Sequence, residues 1–259
     1  MRSSDGVERA FTEVARPVIA LGRDYPDGHV IEPHWHRRDQ LLYGSTGVVL
    51  LATAGGAWVM PAERGMWIPA GVVHDVRIMG MVRMRSLYVE PGVITGMPGH
   101  CQVLGITPLM RSLLAEAVFV PAEYDPRGRD GALMALVQHE IPRLPALPLS
   151  LPLPGSKALA GLCRAFLHAP TPHARIDSWS EAVGMSRRTF TRLFRRETGL
   201  SFVAWRQQAC VMAALPRLAA GHPVTAVAID LGYDNPAAFT AMFKRILGAP
   251  PAAYIGRDG

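Results

Sequence analysis

The sequence predicts a two-domain chain, mainly β in its N-terminal half and all-α in its C-terminal part. Three observations carry that prediction. Between residues 18 and 89, short apolar runs rich in Val, Trp and Tyr are broken by glycine and proline, the texture of short strands. Further on the chain says nearly the same thing twice. Phe190, Phe194 and Gly199 recur 49 residues later as Phe239, Phe243 and Gly248, and the phase runs on to Trp205 and Tyr254. Such an echo marks two copies of one small helical module. Charge divides along the same line: residues 1–150 hold 14 Lys/Arg against 15 Asp/Glu, and residues 151–259 hold 13 against 6. All of the excess in the formal net charge of +6 therefore lies in the repeat-bearing part, where a phosphate-backbone footprint belongs.

Taken in order, the runs 40–43, 47–52, 57–60, 66–69 and 82–89 are the expected strands of a small antiparallel sheet system. Leu109, Leu113, Leu114 and Val118, then Leu133, Leu136 and Val137, recur at helical spacing, so two accessory helices follow the sheet. Leu109, Leu113 and Leu114 either form an apolar seam for a second subunit or pack on their own sheet. The stretch 142–154 alternates Leu and Pro. It cannot continue a helix and is too apolar for a free linker, so a semi-extended connector is expected. The expected division is a mainly β domain over 1–145, the connector over 146–156 and a helical, repeat-bearing domain over 157–259.

The helical repeat is legible residue by residue. Ile176, Trp179, Ser180, Val183 and Gly184 have counterparts 48 residues on in Val224, Val227, Ala228, Leu231 and Gly232. Apolar residues at i, i+3 and i+7 bury one stripe of a short helix, the small residue at i+4 admits a neighbour, and glycine ends it. Ser186 is placed to cap the next helix, as is Asp234 or Asn235 in the second copy. Phe190 and Phe194 bury one face of that helix and leave Arg188, Thr191, Arg192 and Arg195 on the rest. Arginine pairs with guanine bidentately in a major groove, while Arg187 and Arg196 suit phosphates. Around Phe239 and Phe243 the exposed set is instead Asn235, Pro236, Ala237, Thr240, Ala241 and Lys244, which offers methyl and phosphate contacts but little to read guanine with. Asymmetric readout of double-stranded DNA is the expectation; its alternative is a pair of amphipathic helices with solvated basic faces.

The span from about 157 to 254 resembles the double helix-turn-helix domain of AraC/XylS-type transcription regulators. The marks are Val183-Gly184-Met185-Ser186-Arg187-Arg188-Thr189-Phe190, Phe194-Arg195-Arg196-Glu197-Thr198-Gly199, Val227-Ala228-Ile229-Asp230-Leu231-Gly232-Tyr233 and Pro251-Ala252-Ala253-Tyr254. The resemblance implies seven helices in two modules joined by a long central helix at about 202–214, with both recognition helices in successive major grooves. It places Arg188, Thr191 and Arg192 toward bases in the first module, and Pro236, Ala237, Thr240 and Ala241 in the second. Departures fall at Cys210, where arginine is usual, and at Ala237 and Ala241, where polar side chains are usual.

In the N-terminal half, His34 and His36 are expected to share one face of a strand, because side chains alternate with a period of two. With Gly28, Gln40, Gly47 and the run Trp67-Ile68-Pro69-Ala70-Gly71-Val72-Val73-His74, they resemble the cupin signature, which implies a compact jelly-roll barrel. Three of that signature's four metal ligands match as His34, His36 and His74. The glutamate position is Gln40, and the glycine expected before Pro69 is Glu63. Three imidazoles can hold Zn, Ni or Fe. The preferred reading is a metal-free sensory or structural pocket whose histidines line a ligand site or pair with Asp39 and Asp75, with metal binding as its alternative. Trp35, Trp58, Trp67, Tyr43 and Tyr88 either line a pocket for a flat or apolar molecule or form the core.

Cys101, Cys163 and Cys210 are far apart and odd in number, which favours reduced thiols in a cytoplasmic protein over a disulfide framework. The polar start lacks the apolar core of a signal peptide, and no apolar run is long enough to span a membrane. The function expected is a sequence-specific, non-enzymatic transcription regulator that senses a small molecule or metal. Its expected partners are a second copy of itself, through an arm over 7–16 and the helix over 107–118, and RNA polymerase. A cupin-type metalloenzyme fused to a DNA-binding module, and a non-specific nucleic-acid binder with a structural dimerisation domain, are the alternatives.

Overall fold

A computed structural model of the chain describes residues 14–254. Most of the arm expected over 7–16 lies outside the described residues. The chain divides into two compact units, residues 1–53 with Met60–Leu147, and Ala54–Val59 with Pro148–Gly259.

The N-terminal part supplies strands β1 (Val18–Tyr25), β2 (Val30–His34), β3 (Asp39–Gly44), β4 (Val48–Thr53), β5 (Gly56–Pro61), β6 (Arg64–Ile68), β7 (His74–Met79), β8 (Val82–Val89) and β9 (Gln102–Gly105). Helices α1 (Pro108–Ala117) and α2 (Arg129–Glu140) follow. The proline-rich stretch then carries a 3-10 turn, Ile141–Arg143, and two short strands, β10 (Ala146–Leu147) and β11 (Ser150–Pro152). The strands form a six-stranded sheet ordered β1-β8-β3-β6-β9-β10 and a five-stranded sheet ordered β11-β5-β4-β7-β2.

These sheets are open, which corrects the expected closed cupin-like barrel. The outer strands β1 and β10 end one sheet and β11 and β2 end the other, and no ladder joins them among the described residues. Closure depends on long-range pairing between edge strands. The residues that suggested a barrel report only local strand spacing around β2–β4 and β6–β7, so they carry no information about closure.

One face of the six-stranded sheet is apolar and packs on the helices. Leu41, Tyr43, Trp67, Leu87, Val89 and Leu104 join Met110, Leu113, Leu114, Met134 and Val137 in one core. Strand alternation turns the other face, with Gln40 paired to Tyr88 and Leu42 to Ser86, away from those helices. Thr107 caps α1 by accepting from the Met110 N–H, and Pro108 starts it. The sharp turn before β4 requires glycine, because Gly47 has φ +65° and an added Cβ would lie 2.7 Å from Val82 and 2.8 Å from the Met81 carbonyl. Glu63 holds a similar left-handed position at φ 61°, tied by its carboxylate to Arg111 at 2.9 Å.

The C-terminal unit contains α3 (Lys157–His168), α4 (Ile176–Ala182), α5 (Arg187–Thr198), α6 (Phe202–Ala219), α7 (Val224–Asp230), α8 (Pro236–Leu247) and a final 3-10 turn, Pro251–Tyr254. The central helix α6 therefore runs beyond the expected end near residue 214 and passes through Pro216. Proline there forfeits one backbone bond, but Leu215, Pro216 and Leu218 are buried, and their packing holds the last turn helical.

Candidate nucleic-acid interface and histidine cluster

The two modules repeat at atomic detail. Gly184 donates to the Glu181 carbonyl and Met185 to that of Ser180, both at 2.9 Å; 48 residues later Gly232 donates to Ile229 at 2.8 Å and Tyr233 to Ala228 at 3.0 Å. Both turns are closed by glycine at positive φ, 66° and 87°. Ser186 then caps α5 by accepting from Thr189 at 3.2 Å, and Asn235 caps α8 by accepting from Ala237 at 2.8 Å. Asn235 thus spends its carbonyl oxygen on the helix. Both recognition helices end on glycine, Gly199 at φ 74° and Gly248 at φ 76°.

Phe190 and Phe194 are fully buried, and Trp179, Phe202 and Trp205 meet Phe194 edge-on at 5.8–6.5 Å. That packing fixes the rotation of α5 about its axis. Arg187, Arg188, Thr191, Arg192, Arg195 and Arg196 consequently line one open depression on the exposed face. Arg187 pairs with Asp177 at 3.5 Å and Arg196 reaches Glu197 at 3.8 Å. Arg188, Arg192 and Arg195 have no ion pair among the described residues, so their guanidinium groups stand ready for an external anion or base.

On α8, Phe239, Met242 and Phe243 are buried, while Asn235, Ala237, Ala241 and Lys244 are exposed and Pro236 and Thr240 are half-buried. Ala241 occupies the repeat position of Arg192, and Lys244 that of Arg195. Arg245, part of the repeated motif but given no expected role, donates to the Gln207 side chain on α6 at 2.9 Å. Its signal was available, since it is the 49-residue partner of Arg196.

In the N-terminal domain His34, His36 and His74 are brought together and buried. Their rings lie 4.3–5.2 Å apart by centroid, and one nitrogen from each falls within 4.8 Å of the others. His34 faces His74 directly across the β2–β7 ladder, beside a register irregularity. His36 lies beyond the end of β2 rather than on the strand as expected; Gly71 donates to its carbonyl at 2.8 Å, and Ala70 donates to Asp39 at 2.8 Å. Those two bonds staple the loop before His74 to the segment carrying His36. The Nδ1 atoms of His34 and His74 each lie 2.8 Å from a backbone carbonyl, of Glu32 and Val72. A carbonyl only accepts, so each Nδ1 carries the proton, which leaves Nε2 as the coordinating nitrogen, the way a backbone partner orients a metal-bound histidine. Three donors this close lie within roughly 2.8 Å of a common point, against about 2.0–2.1 Å for a Zn–N bond, so small ring movements close the site. The cluster can therefore hold a metal ion.

Gln40 donates from Nε2 to Ser86 Oγ at 3.1 Å and to the Tyr88 hydroxyl at 3.4 Å, and the Tyr88 ring packs edge-on against His36 at 5.3 Å. Ser86 was missed in the sequence, although alternation along 82–89 sets it on the same face as Tyr88. Tyr43 and Trp67, considered for a pocket, belong to the core that packs on α1 and α2. Leu113 and Leu114 belong to that core too, while Leu109 is exposed.

Residues 16–138 match the model of the AraC-like ligand binding domain and residues 179–257 that of a helix-turn-helix domain. The HTH-type transcriptional regulator NimR of Escherichia coli K12 is 33% identical over 224 residues, 86% of this chain and 82% of that protein. The chain belongs to the AraC/XylS family. As a member it is a DNA-binding transcription regulator rather than an enzyme, with an N-terminal ligand-binding domain and a C-terminal DNA-binding domain. Among solved structures, the DNA-binding domain of AdpA, determined in complex with a target DNA, is 34% identical, covering 38% of this chain and 90% of that one at TM-score 0.36. Unsaturated-fatty-acid-bound ToxT of Vibrio cholerae is 10% identical, covering 93% and 96% at TM-score 0.38.

Against the usual AraC/XylS pattern, Cys210 replaces an arginine on the central helix. It is fully buried and hydrogen-bonded to Tyr233, so this position packs the second module here and offers no basic contact. Burial pushes the Cys210 thiol up to about 11 and those of Cys101 and Cys163 up to about 12, which keeps all three protonated and unreactive near neutral pH. No helix among the described residues is long and apolar enough to cross a membrane.

Proposed function

We propose that this AraC/XylS-type regulator reads DNA unequally with its two modules. Arg188, Thr191, Arg192 and Arg195 supply most base recognition, and Arg187 and Arg196 hold flanking phosphates. In the second module Pro236, Ala237, Thr240 and Ala241 make shape and methyl contacts, while Asn235 and Lys244 bind phosphate. The observation that carries this reading is the α5 face, where three unpaired arginines stand on a helix pinned by two buried phenylalanines. The boundaries 1–145, 146–156 and 157–259 serve as sensor, connector and reader, in a cytoplasmic homodimer that meets RNA polymerase at its promoters. Exposed Leu109, with Leu136 on α2, supports a subunit contact on that side.

In the sensor, His34, His36 and His74 hold a divalent metal, Zn, Ni or Fe, with Gln40 beside them; the Nδ1 bonds to backbone carbonyls support this choice over a metal-free pocket. Genome-wide mapping of DNA bound by the full chain tests the function. The reading requires discrete sites sharing one sequence pattern. Binding without any shared pattern, lost at modest salt, would leave a non-specific binder.

A further inference from the structure

We propose that the ligand sensed by the N-terminal domain is a small organic oxyanion that chelates the cation held by His34, His36 and His74. This rests on the metal reading above and follows from charge. The group that can hold an ion consists of three histidines and includes no Asp, Glu or Cys among the described residues. With both Nδ1 protons committed to carbonyls, His34 and His74 coordinate as neutral imidazoles. At the sequence position where a carboxylate would complete the set stands the amide of Gln40, which bonds the Tyr88 hydroxyl while the Tyr88 ring packs against His36.

Gln40 is 4% exposed, and its Nε2 is engaged with Ser86 and Tyr88. Its Oε1 is buried without a hydrogen-bond partner. A buried acceptor in that state is costly unless something comes to meet it. A dication among four neutral donors is a larger cost, because a buried charge is tolerated only when it is paired. An incoming anion supplies the pairing. Three histidine donors leave further coordination positions to the ligand, and a bidentate oxyanion such as a dicarboxylate or an α-hydroxy or α-oxo acid fills two at once. A neutral sugar or hydrocarbon leaves the charge unanswered. Ser86 is buried and Tyr88 half-buried, and the Tyr88 ring packs against His36 at 5.3 Å.

The test uses the full chain without a histidine tag, loaded with Co(II) as a spectroscopic probe and titrated with oxalate, acetate and ethylene glycol. Oxalate should change the visible Co(II) bands at a concentration about tenfold or more below acetate, and glycol should leave them unchanged. Gln40→Glu supplies the missing carboxylate, so it should tighten Co(II) binding and weaken oxalate by about tenfold or more. Should that variant fail to fold, the ligand series on the unaltered chain decides. Failure to take up Co(II) overturns the metal reading and this proposal with it. Uptake with acetate or glycol matching oxalate, or a folded Gln40→Glu that binds oxalate unchanged, overturns the proposal alone.

Discussion

In the first module Phe190 and Phe194 stack at 5.4 Å and Phe194 meets Trp205 at 5.8 Å; in the second Phe239 and Phe243 lie 5.6 Å apart and Phe243 meets Tyr254 at 5.4 Å. Outside, the same two helices keep Thr191 and Thr240, Arg195 and Lys244, and Arg196 and Arg245 in register, but they part at the groove-facing positions, where arginine at 188 and 192 corresponds to alanine at 237 and 241. Burial constrains the aromatic positions in both copies, because a close-packed interior tolerates few alternatives. Exposed positions answer only to what binds there. The difference between the copies therefore locates the specificity, and their likeness locates the stability.

The comparison breaks if the interiors are unequal. Phe190→Ala and Phe239→Ala should each destabilise the C-terminal domain by about 3–5 kcal/mol, measured by urea unfolding of the full chain, since both rings are fully buried. A loss under about 1 kcal/mol at only one of them would mean the modules are not packed alike. The exteriors should respond in opposite senses. Arg192→Ala should cost roughly 1–3 kcal/mol at particular base pairs, and Ala241→Arg, which installs the guanidinium the second copy lacks, should gain a comparable preference for guanine at one added position. Binding to operator variants at fixed salt reads both.

Next in size are the caps. Ser186→Ala and Asn235→Ala should each lower stability by about 1 kcal/mol, because each removes the acceptor for an orphan N–H at a helix start. Smallest per site, Lys244→Ala should weaken all sequences about equally and reduce the salt slope by about 1. A loss confined to certain base pairs would instead make Lys244 a reader.

Legibility from sequence follows the same inside-outside line. The helical modules were readable because their signals are local: caps, glycine stops and aromatic spacing all act within a dozen residues, and the repeat doubles each one. The runs at β3, β4, β5, β6 and β8 were readable for the same reason. The open sheets were not, because the pairings that leave β1, β10, β11 and β2 at edges join residues far apart in the chain. Strands β10 and β11 hid inside a Leu/Pro stretch whose composition argues against any regular element. The histidines were legible by residue type, but their convergence comes from the loop bonds of Gly71 and Ala70, which no spacing rule contains.

Unequal readout is tested most directly by selecting the full chain against randomised duplex DNA spanning two successive major grooves, and measuring the sequence information recovered in each. The α5 face predicts a strong, guanine-containing preference in one groove and a weak preference for shape and A·T content in the other. Equal base preference in both grooves, or none in either, would contradict it.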